Sequence, residues 1–421
     1  MLQWNSFGAP RPGLKLLLAL LVVFPSLPSC RALDPAARLS EARGLLQAGR
    51  AAEAAAILHE LRDDRPGDYA VEYELARAEQ AAGNPEAAII AVASAVQADP
   101  TSLDARLLRG TILGDLGREE EALAELRQVI AGSPARPGVH RTMGLIHARA
   151  GRQQRATNQF EKELSINPAD GIALTESGIL YLSRGELAQA AERLERAVEV
   201  APDSARAHRY LAEVLFRQAR YEQGLELQRQ AFRLDPHDVD LLLDHAKALH
   251  NYGHPDEARR ILDAALAGAA PDLRLYLETA RQAREQLDNR RAIAALREAI
   301  VLDPALPDAW LDLGKLYRLE GEQAEALQHL QEAERLAPMN PLVCFHLGTS
   351  LEDADRDEEA MQMYRRALQL DPNNPMAHYA LGRLLQRAGR RSEAEREFAL
   401  HAEIMKRKGM GGERTGVASM D

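Results

Sequence analysis

The stretch PDAWLDLGKLYRLEGEQAEALQHLQEAERLAPMN, residues 307–340, holds the pattern from which most of this 421-residue chain is built. Its apolar and punctuating residues are Trp310, Leu313, Gly314, Tyr317, Gly321, Ala326, Leu330, Ala333 and Pro338. The first four share one helical face and predict a first helix, which a left-handed glycine ends. After Gly321, the residues Ala326, Leu330 and Ala333 share a face of a second helix, which Pro338 ends. The stretch therefore predicts two short helices joined by a tight turn.

The same pattern recurs every 34 residues along the chain. Prolines stand at 66, 100, 134, 168, 202, 236, 304, 338 and 372. At 270 the proline is replaced by Ala270 and follows as Pro271, a one-residue slip. Eleven repeats fit between about residue 35 and residue 408. The array resembles tetratricopeptide repeats, whose signature combines a Trp-like residue, Leu-Gly, Tyr, a mid-repeat Gly, two Ala and a closing Pro over this period.

The resemblance implies an all-α fold, an α-solenoid of about eleven tandem helix-turn-helix repeats wound into a right-handed superhelix. One position of the first helix supports close packing within each repeat. It is occupied by Gly110, Gly144, Gly178, Gly314, Gly348 and Gly382, and by Ala42, Ala76, Ala212, Ala246 and Ala280 in the other repeats. Because glycine weakens a helix interior by about 1 kcal/mol against alanine, its recurrence predicts that the second helix packs closely there.

Residues 1–30 lie outside the array and have the form of a secretory signal. Arg11 and Lys15 precede an apolar run from Leu16 to Phe24, which is too short to span a bilayer as a helix. Leu27-Pro28-Ser29-Cys30 resembles the lipobox of bacterial lipoproteins, although Pro28 departs from its usual small residue. The resemblance implies lipidation of Cys30 and an outer-membrane lipoprotein facing the periplasm. Cleavage near Ala32 with secretion, or an uncleaved segment on a cytoplasmic protein, are the alternatives.

Composition argues against several other classes of protein. The formal net charge of −11 and the lack of a basic tract disfavour nucleic-acid binding. The repeats occupy nearly the whole mature chain, so no separate domain remains that could contain a catalytic or cofactor site. We therefore expect no enzyme activity, cofactor or metal. The most ligand-like cluster is His245, His250 and His254, which the repeat pattern places in packing and turn positions. Cys344 takes the position of Trp310 in its repeat and is expected to be a buried small hydrophobe.

The repeat pattern loosens between Ala205 and Leu306. Ala219 and Leu287 replace the turn glycine there, and Gly224 replaces a second-helix alanine. This region is therefore expected to be a local weak point or a change in superhelical pitch, with neutral drift as the alternative. The last repeat begins at Pro375, and residues 409–421, without an apolar pattern, are expected to be a disordered tail.

In this family the first helices line the concave groove, and the fifth and ninth positions of each repeat point into it. The ninth positions are Arg43, Arg77, Thr111, Leu145, Ile179, Glu213, Lys247, Arg281, Lys315, Thr349 and Arg383. Arg141 and Arg209 are basic fifth positions, and Leu145, Ile172, Ile179 and Leu182 suggest an apolar patch. Six of the eleven ninth positions are basic in an acidic protein. The groove is thus expected to grip acidic protein segments, unless arginines and acids merely alternate.

The sequence as a whole favours a non-enzymatic scaffold, exported and lipid-anchored. Such a scaffold would bind partner proteins or extended peptides during envelope assembly, secretion or polymer export. A soluble cytoplasmic adaptor, or a subunit of an enzyme complex, are the alternatives. Chaperone-binding members of the family use Asn at the ninth position, which no repeat has here, so a co-chaperone role is disfavoured.

Overall fold

The computed structural model describes residues 34–268 and 272–408. Within them the chain forms 22 α-helices and no strand, arranged as eleven consecutive helix pairs, which confirms the predicted all-α solenoid of repeats. The predicted signal segment with Cys30, the slip at Ala270-Pro271 and the predicted disordered tail of residues 409–421 lie outside the described residues. None of the helices described is long and apolar enough to cross a membrane.

The chain divides into two compact units, of which the first ends at Pro168 and the second begins at Ala169. The first unit contains α1 (Pro35–Gln47), α2 (Ala51–Asp64), α3 (Tyr69–Ala81), α4 (Pro85–Ala98), α5 (Leu103–Asp115), α6 (Glu119–Gly132), α7 (Val139–Arg149) and α8 (Gln153–Ile166). Odd-numbered helices are the first helices of their repeats, and even-numbered helices are the second.

The second unit continues the same alternation. It contains α9 (Gly171–Ser183), α10 (Leu187–Val200), α11 (Ala205–Arg217), α12 (Tyr221–Leu234), α13 (Val239–Asn251), α14 (Pro255–Gly268), α15 (Leu273–Glu285), α16 (Asn289–Leu302), α17 (Pro307–Leu319), α18 (Gln323–Leu336), α19 (Pro341–Asp353), α20 (Asp357–Leu370), α21 (Pro375–Arg387) and α22 (Arg391–Arg407). Within each unit, second helices pack on the first helix of the following repeat.

The turn inside each repeat has one residue in the left-handed conformation and the same closing hydrogen bond. In α17, Gly321 has φ 81° and the Glu322 N–H donates to the Tyr317 carbonyl at 2.9 Å, a Schellman closure of the helix. Where glycine is missing, Ala219, Leu287 and Asp355 still have φ between 56° and 60°. The packing of the two helices therefore imposes the left-handed turn even on residues that disfavour it.

Replacing Leu287 with glycine is expected to stabilise the second unit by about 1 kcal/mol, because it removes the left-handed strain of a residue with a Cβ. The Leu287 side chain is 84 % exposed, so its loss removes little packing. Thermal melting and hydrogen exchange of α15 and α16 measure the change. Ala188→Gly, at an exposed site inside α10, is the control and should destabilise instead. An unchanged or lower melting temperature for Leu287→Gly would contradict the strain argument.

The small-residue position of the first helix is confirmed as a close contact. A Cβ added at Gly144 would lie 2.5 Å from Phe160, and one at Gly178 would lie 2.6 Å from Leu194. Both neighbours belong to the second helix of the same repeat. The distances leave no room for a larger side chain at this position.

Two residues that depart from the repeat pattern, Gly224 and Cys344, are both accommodated by local packing. A Cβ at Gly224 would lie 2.6 Å from the Phe216 ring, so the missing alanine methyl makes room for that ring. Cys344 is fully buried against Ala367 and Ala377, as expected for a small hydrophobe. Burial raises the pKa of its thiol.

The start of α7 also differs from the pattern. Most first helices begin after an Asp, Ser or Asn whose side chain accepts a backbone N–H, as Ser204 does from Ala207. In the fourth repeat that role falls to Glu163, a fully buried residue of α8. Its carboxylate accepts from the N–H of Gly138 at 2.6 Å and from the N–H of Arg141 at 3.1 Å. A side chain distant in sequence thus caps a helix that has no cap of its own.

Candidate functional site: the first-helix face

Several first helices of neighbouring repeats contact one another within each unit. In the first unit α1 contacts α3, α3 contacts α5 and α5 contacts α7, and in the second unit α9 contacts α11, α13 contacts α15 and α17 contacts α19. Their fifth and ninth positions consequently form a row of side chains, here called the first-helix face. This is the surface on which the sequence places the partner-binding residues.

Most basic residues of this face are already paired with acids. In the first unit, Glu74 lies between Arg43 at 2.7 Å and Arg77 at 2.8 Å. Glu74 itself is almost completely buried, with 4 % of its surface exposed. The two arginines therefore serve to neutralise a buried carboxylate, and their charge is not an unopposed surface charge.

The second unit repeats this arrangement over several repeats. Its predicted basic residues form these ion pairs: Arg209 with Asp244 at 2.6 Å, Arg281 with Glu278 and Glu285 at 2.6 Å each, Lys315 with Asp312 at 3.1 Å, and Arg383 with Glu352 at 2.5 Å. Three of these acids occupy the sixth position of a repeat, three residues before the basic ninth position. For Arg281 and Lys315 that spacing, visible in the sequence, is the signal that would have predicted the pairs, whereas Asp244 pairs with Arg209 of the preceding repeat and not with Lys247.

The remaining predicted residues are less uniform. Arg141 is half-buried, and its backbone N–H is one of the two donors to Glu163. Leu145, on α7 of the first unit, and Ile179, on α9 of the second, are half-buried. Leu182 is 3 % exposed and packs in the core with Leu194 and Leu211, so it belongs to no surface patch.

Lys247 differs from the other predicted basic residues. Its side chain is exposed and makes no hydrogen bond or ion pair with the part of the chain that the structure describes. It lines a cleft of about 230 Å³ between α11, α12 and α13. The cleft is lined by Arg209, Glu213, Phe216, Gln228, Asp244, Lys247, Ala248, Asn251 and Tyr252.

Gln228 is the residue of this cleft that sequence reasoning missed. It is 3 % exposed, and its Nε2 has no hydrogen-bond partner. The equivalent residues of the other repeats are Leu58, Val92, Leu126, Phe160, Leu194, Leu262, Leu296, Leu330, Tyr364 and Phe398. An amide in a column of large aliphatic and aromatic residues is a signal that aligning the repeats would have revealed.

Two larger grooves of the same unit are lined by residues of both first and second helices. One, of about 670 Å³, is lined mainly by apolar groups including Tyr276, Val301 and Trp310. The other, of about 620 Å³, includes Phe232 and Ile261. Both have charges of either sign at their rims, Arg297 with Glu298 in the first and Arg260 with Glu257 in the second.

The histidine cluster singled out in the sequence is dispersed. His245 is 1 % exposed and stacks on Phe232 with ring centroids 5.7 Å apart. His250 Nε2 lies 2.5 Å from Glu285 Oε2 in the next repeat, and His254 is exposed in a turn. Among residues 34–268 and 272–408, no group of three or more potential ligands has the geometry to hold a metal ion.

His245 is expected to make the protein sensitive to mild acid. Burial, and then the charge of Arg229, lower its pKa to about 4, while in the unfolded chain it titrates near 6.5. The unfolded chain therefore binds the extra proton first. The stability is fully present above pH 6.5 and is lost as the pH falls from there through 4, by about 2 kcal/mol at pH 5. Melting temperatures between pH 7.5 and 4.5 measure the loss.

The His245→Leu variant tests this prediction, because five other repeats have leucine at this position, namely Leu75, Leu211, Leu313, Leu347 and Leu381. The variant should lose less stability than the parent over that pH range. His254→Gln, which removes an exposed histidine, is the control and should follow the parent. Parallel pH curves for His245→Leu and the parent would contradict the prediction.

Comparisons with known proteins agree with the geometry of the repeats. Two family models described as "Tetratricopeptide repeat" match residues 175–239 and 277–341, and residues 45–110 and 215–280. A third, described as "TPR repeat", matches residues 353–389. A search of curated proteins finds no match in sequence.

Three of the solved structures similar to this chain are the following. A tetratricopeptide repeat protein from Parabacteroides merdae has a TM-score of 0.42 and 20% identity, covering 59% of this chain and 98% of that one. The Cut9–Hcn1 hetero-tetramer of the APC/C has a TM-score of 0.40 and 16% identity, covering 89% and 79%. Yeast Tom70 has a TM-score of 0.38 and 14% identity, covering 88% and 92%. The family models, whose matches together span more than half of the sequence, carry the assignment: this chain belongs to the tetratricopeptide-repeat family.

Proposed function

We propose that this protein is a non-enzymatic scaffold that binds partner proteins or extended peptides on its first-helix face. The observation that carries the proposal is that first helices contact one another within each unit and present exposed side chains, such as Arg77 in the first unit and Lys247 and Arg383 in the second. A face of this kind suits an extended partner, because each repeat adds one set of contacts. Catalytic turnover by the purified full chain would overturn the non-enzymatic part.

The ion pairs of the first-helix face reduce the free energy that an acidic partner can gain by binding the arginines there. A partner carboxylate that binds Arg281 must displace or share it with Glu278 and Glu285, so the exchange yields little net free energy. General attraction of any acidic segment is therefore weaker than the six basic ninth positions imply. Specific contacts at individual repeats, above all at an unpaired residue, become the better source of affinity.

Substitutions on the two sides of the second unit test where partners bind. Affinity capture with crosslinking from native membranes would compare the parent with Arg281→Gln, Lys315→Gln and Arg383→Gln combined. Glutamine is preferred to glutamate, because glutamate would place a second negative charge beside Glu278, Asp312 and Glu352. The expected result is weaker capture of the partners, together with a lower melting temperature, because the substitutions remove counterions of the buried Glu278 and of Glu352.

A matched triple variant on the second helices is the control. Arg259→Gln, Arg290→Gln and Arg297→Gln change three exposed arginines of α14 and α16 that make no ion pair with the residues described. Capture should survive in this variant. Loss of capture here and not in the first-helix variant would move the binding surface to the second-helix side.

The scaffold is further proposed to be exported and anchored by a lipid on Cys30, at the outer membrane facing the periplasm, where it serves envelope assembly, secretion or polymer export. The support is the signal-like segment of residues 1–30 and its lipobox-like end. Metabolic labelling with a radioactive fatty acid should label the parent and leave Cys30→Ala unlabelled. Cell fractionation should find the parent in outer membranes. Equal recovery of both proteins in the cytoplasm would instead support a soluble adaptor.

A further inference from the structure

The cleft beside Lys247 contains three side chains that could donate hydrogen bonds and have no protein acceptor. Lys247 and Asn251 make no side-chain hydrogen bond with the residues described, and Gln228 lines the cleft with an unpaired, buried Nε2. Buried amides are normally hydrogen-bonded, and leaving one unpaired destabilises the folded protein. The amide therefore lowers stability at a position where the other repeats have an apolar side chain.

The charges around the cleft leave one cation without a counterion. Arg209 is paired with Asp244 at 2.6 Å, and Glu213 is paired with Arg217 at 2.6 Å. Lys247 is the remaining charge of the lining. A ligand group that completes this site must therefore be an anion that also accepts hydrogen bonds.

The two aromatic side chains of the lining, Phe216 and Tyr252, are stacked. Phe216 stacks on Tyr252 with ring centroids 4.8 Å apart, and Tyr252 stacks on Tyr221 at 4.6 Å. Phe216 takes this position because Gly224 has no Cβ to exclude its ring. The departures from the repeat pattern in the sixth and seventh repeats thus build one cleft, with apolar walls and unsatisfied donors.

We infer that this cleft binds the carboxylate of a Glu or Asp side chain from a protein segment lying on the first-helix face. Lys247 supplies the ion pair, Asn251 and Gln228 donate hydrogen bonds, and the rings of Phe216 and Tyr252 contact the methylene groups. The volume of about 230 Å³ suits a single side chain. First helices continue on both sides of the cleft, from α9 to α15, so a bound segment passes across it and presents a side chain.

This inference rests on the proposed function, and the test separates the two. Two phage-displayed libraries of random 12-residue peptides are selected on the immobilised full chain, one with the peptide fused at both ends and one ending in a free carboxylate. The library fused at both ends is expected to yield peptides with a Glu or Asp at a fixed position. Lys247→Gln and Gln228→Leu should each weaken their binding at least tenfold. Lys162→Gln, an exposed lysine of α8, should leave it unchanged.

Two further measurements distinguish a binding role from a structural one. Replacing the selected Glu of the peptide by Gln should weaken binding to the parent and have little further effect on Lys247→Gln, which a double-mutant cycle measures. Gln228→Leu should raise the melting temperature while it lowers affinity, because leucine restores the apolar packing of the other repeats.

The remaining outcomes each decide the question. If only the library that ends in a free carboxylate yields binding peptides, the cleft binds the carboxylate of a chain terminus and the assignment to a Glu or Asp side chain is wrong. Selected peptides that bind all three variants equally, but not the first-helix triple variant, overturn the cleft and leave the proposed function standing. Failure of both libraries to yield any peptide that binds the first-helix face counts against the cleft and the proposed function together.

Discussion

Replacing Glu163 with alanine is expected to destabilise the first unit by about 2–3 kcal/mol. The fully buried carboxylate accepts hydrogen bonds from the backbone N–H groups of Gly138 and Arg141, and hydrogen bonds to a charged acceptor contribute more than neutral ones. Removing it leaves the N-terminus of α7 without a cap and opens a cavity. Urea unfolding and hydrogen exchange of α7 measure the loss.

Repeat comparison alone leads to the opposite expectation for this residue. The equivalent residues of the next six repeats are Ala197, Ala231, Ala265, Ala299, Ala333 and Ala367, so alanine at 163 restores the repeat pattern. Glu163→Gln, which keeps one acceptor oxygen, should lose roughly half as much stability. Glu195→Ala, at an exposed site of α10, is the control and should change little. A stabilised Glu163→Ala variant would show that the carboxylate is not a useful cap.

Replacing Gly314 with leucine is expected to lower stability by about 1–3 kcal/mol, because the position is already filled. Even a Cβ built at Gly314 overlaps Leu330 Cγ and lies 3.2 Å from the Ala326 carbonyl oxygen. The added side chain must push α17 away from α18, which also disturbs the contacts of α17 with α16 and α19. Thermal melting and hydrogen exchange across α16 to α19 report the effect.

Gly44→Leu is the matched control for this substitution. Gly44 is also inside a first helix, α1, but it is exposed, and a Cβ added there would meet no neighbouring atom within 4 Å. Leucine should stabilise that site slightly, since its helix propensity exceeds that of glycine. Equal melting temperatures for Gly314→Leu and the parent would refute the close packing of the two helices.

Much of the fold follows from the repeat period. A proline every 34 residues, a left-handed turn residue and two apolar faces are local signals, and each is repeated often enough to outweigh exceptions. Leu287 shows the strength of this redundancy, because the turn forms there with φ 59° despite the side chain. The positions of nearly all helices could therefore be predicted within a residue or two.

The candidate site was less accessible to sequence reasoning. The basic positions of the first helices were predicted, but ion pairs such as Arg209 with Asp244 were not, because they join residues of different repeats. Whether a charge is free depends on distances of a few ångströms between side chains. Lys247 and Arg281 look alike in the sequence, yet Arg281 has two carboxylates at 2.6 Å and Lys247 has none among the residues described.

The sequence by itself determined the family, the helix pairs and the residues that pack between them, because each repeat encodes its own helices through local periodicity. Only the tertiary structure decided which charges are neutralised, how α7 is capped by Glu163 and where Gln228 is left without a partner. Those features depend on contacts between helices that the period does not specify. Packing of neighbouring helices brings together residues that are 19 to 35 positions apart in the sequence. The contacts between their side chains determine which charged and polar groups remain free to bind a partner.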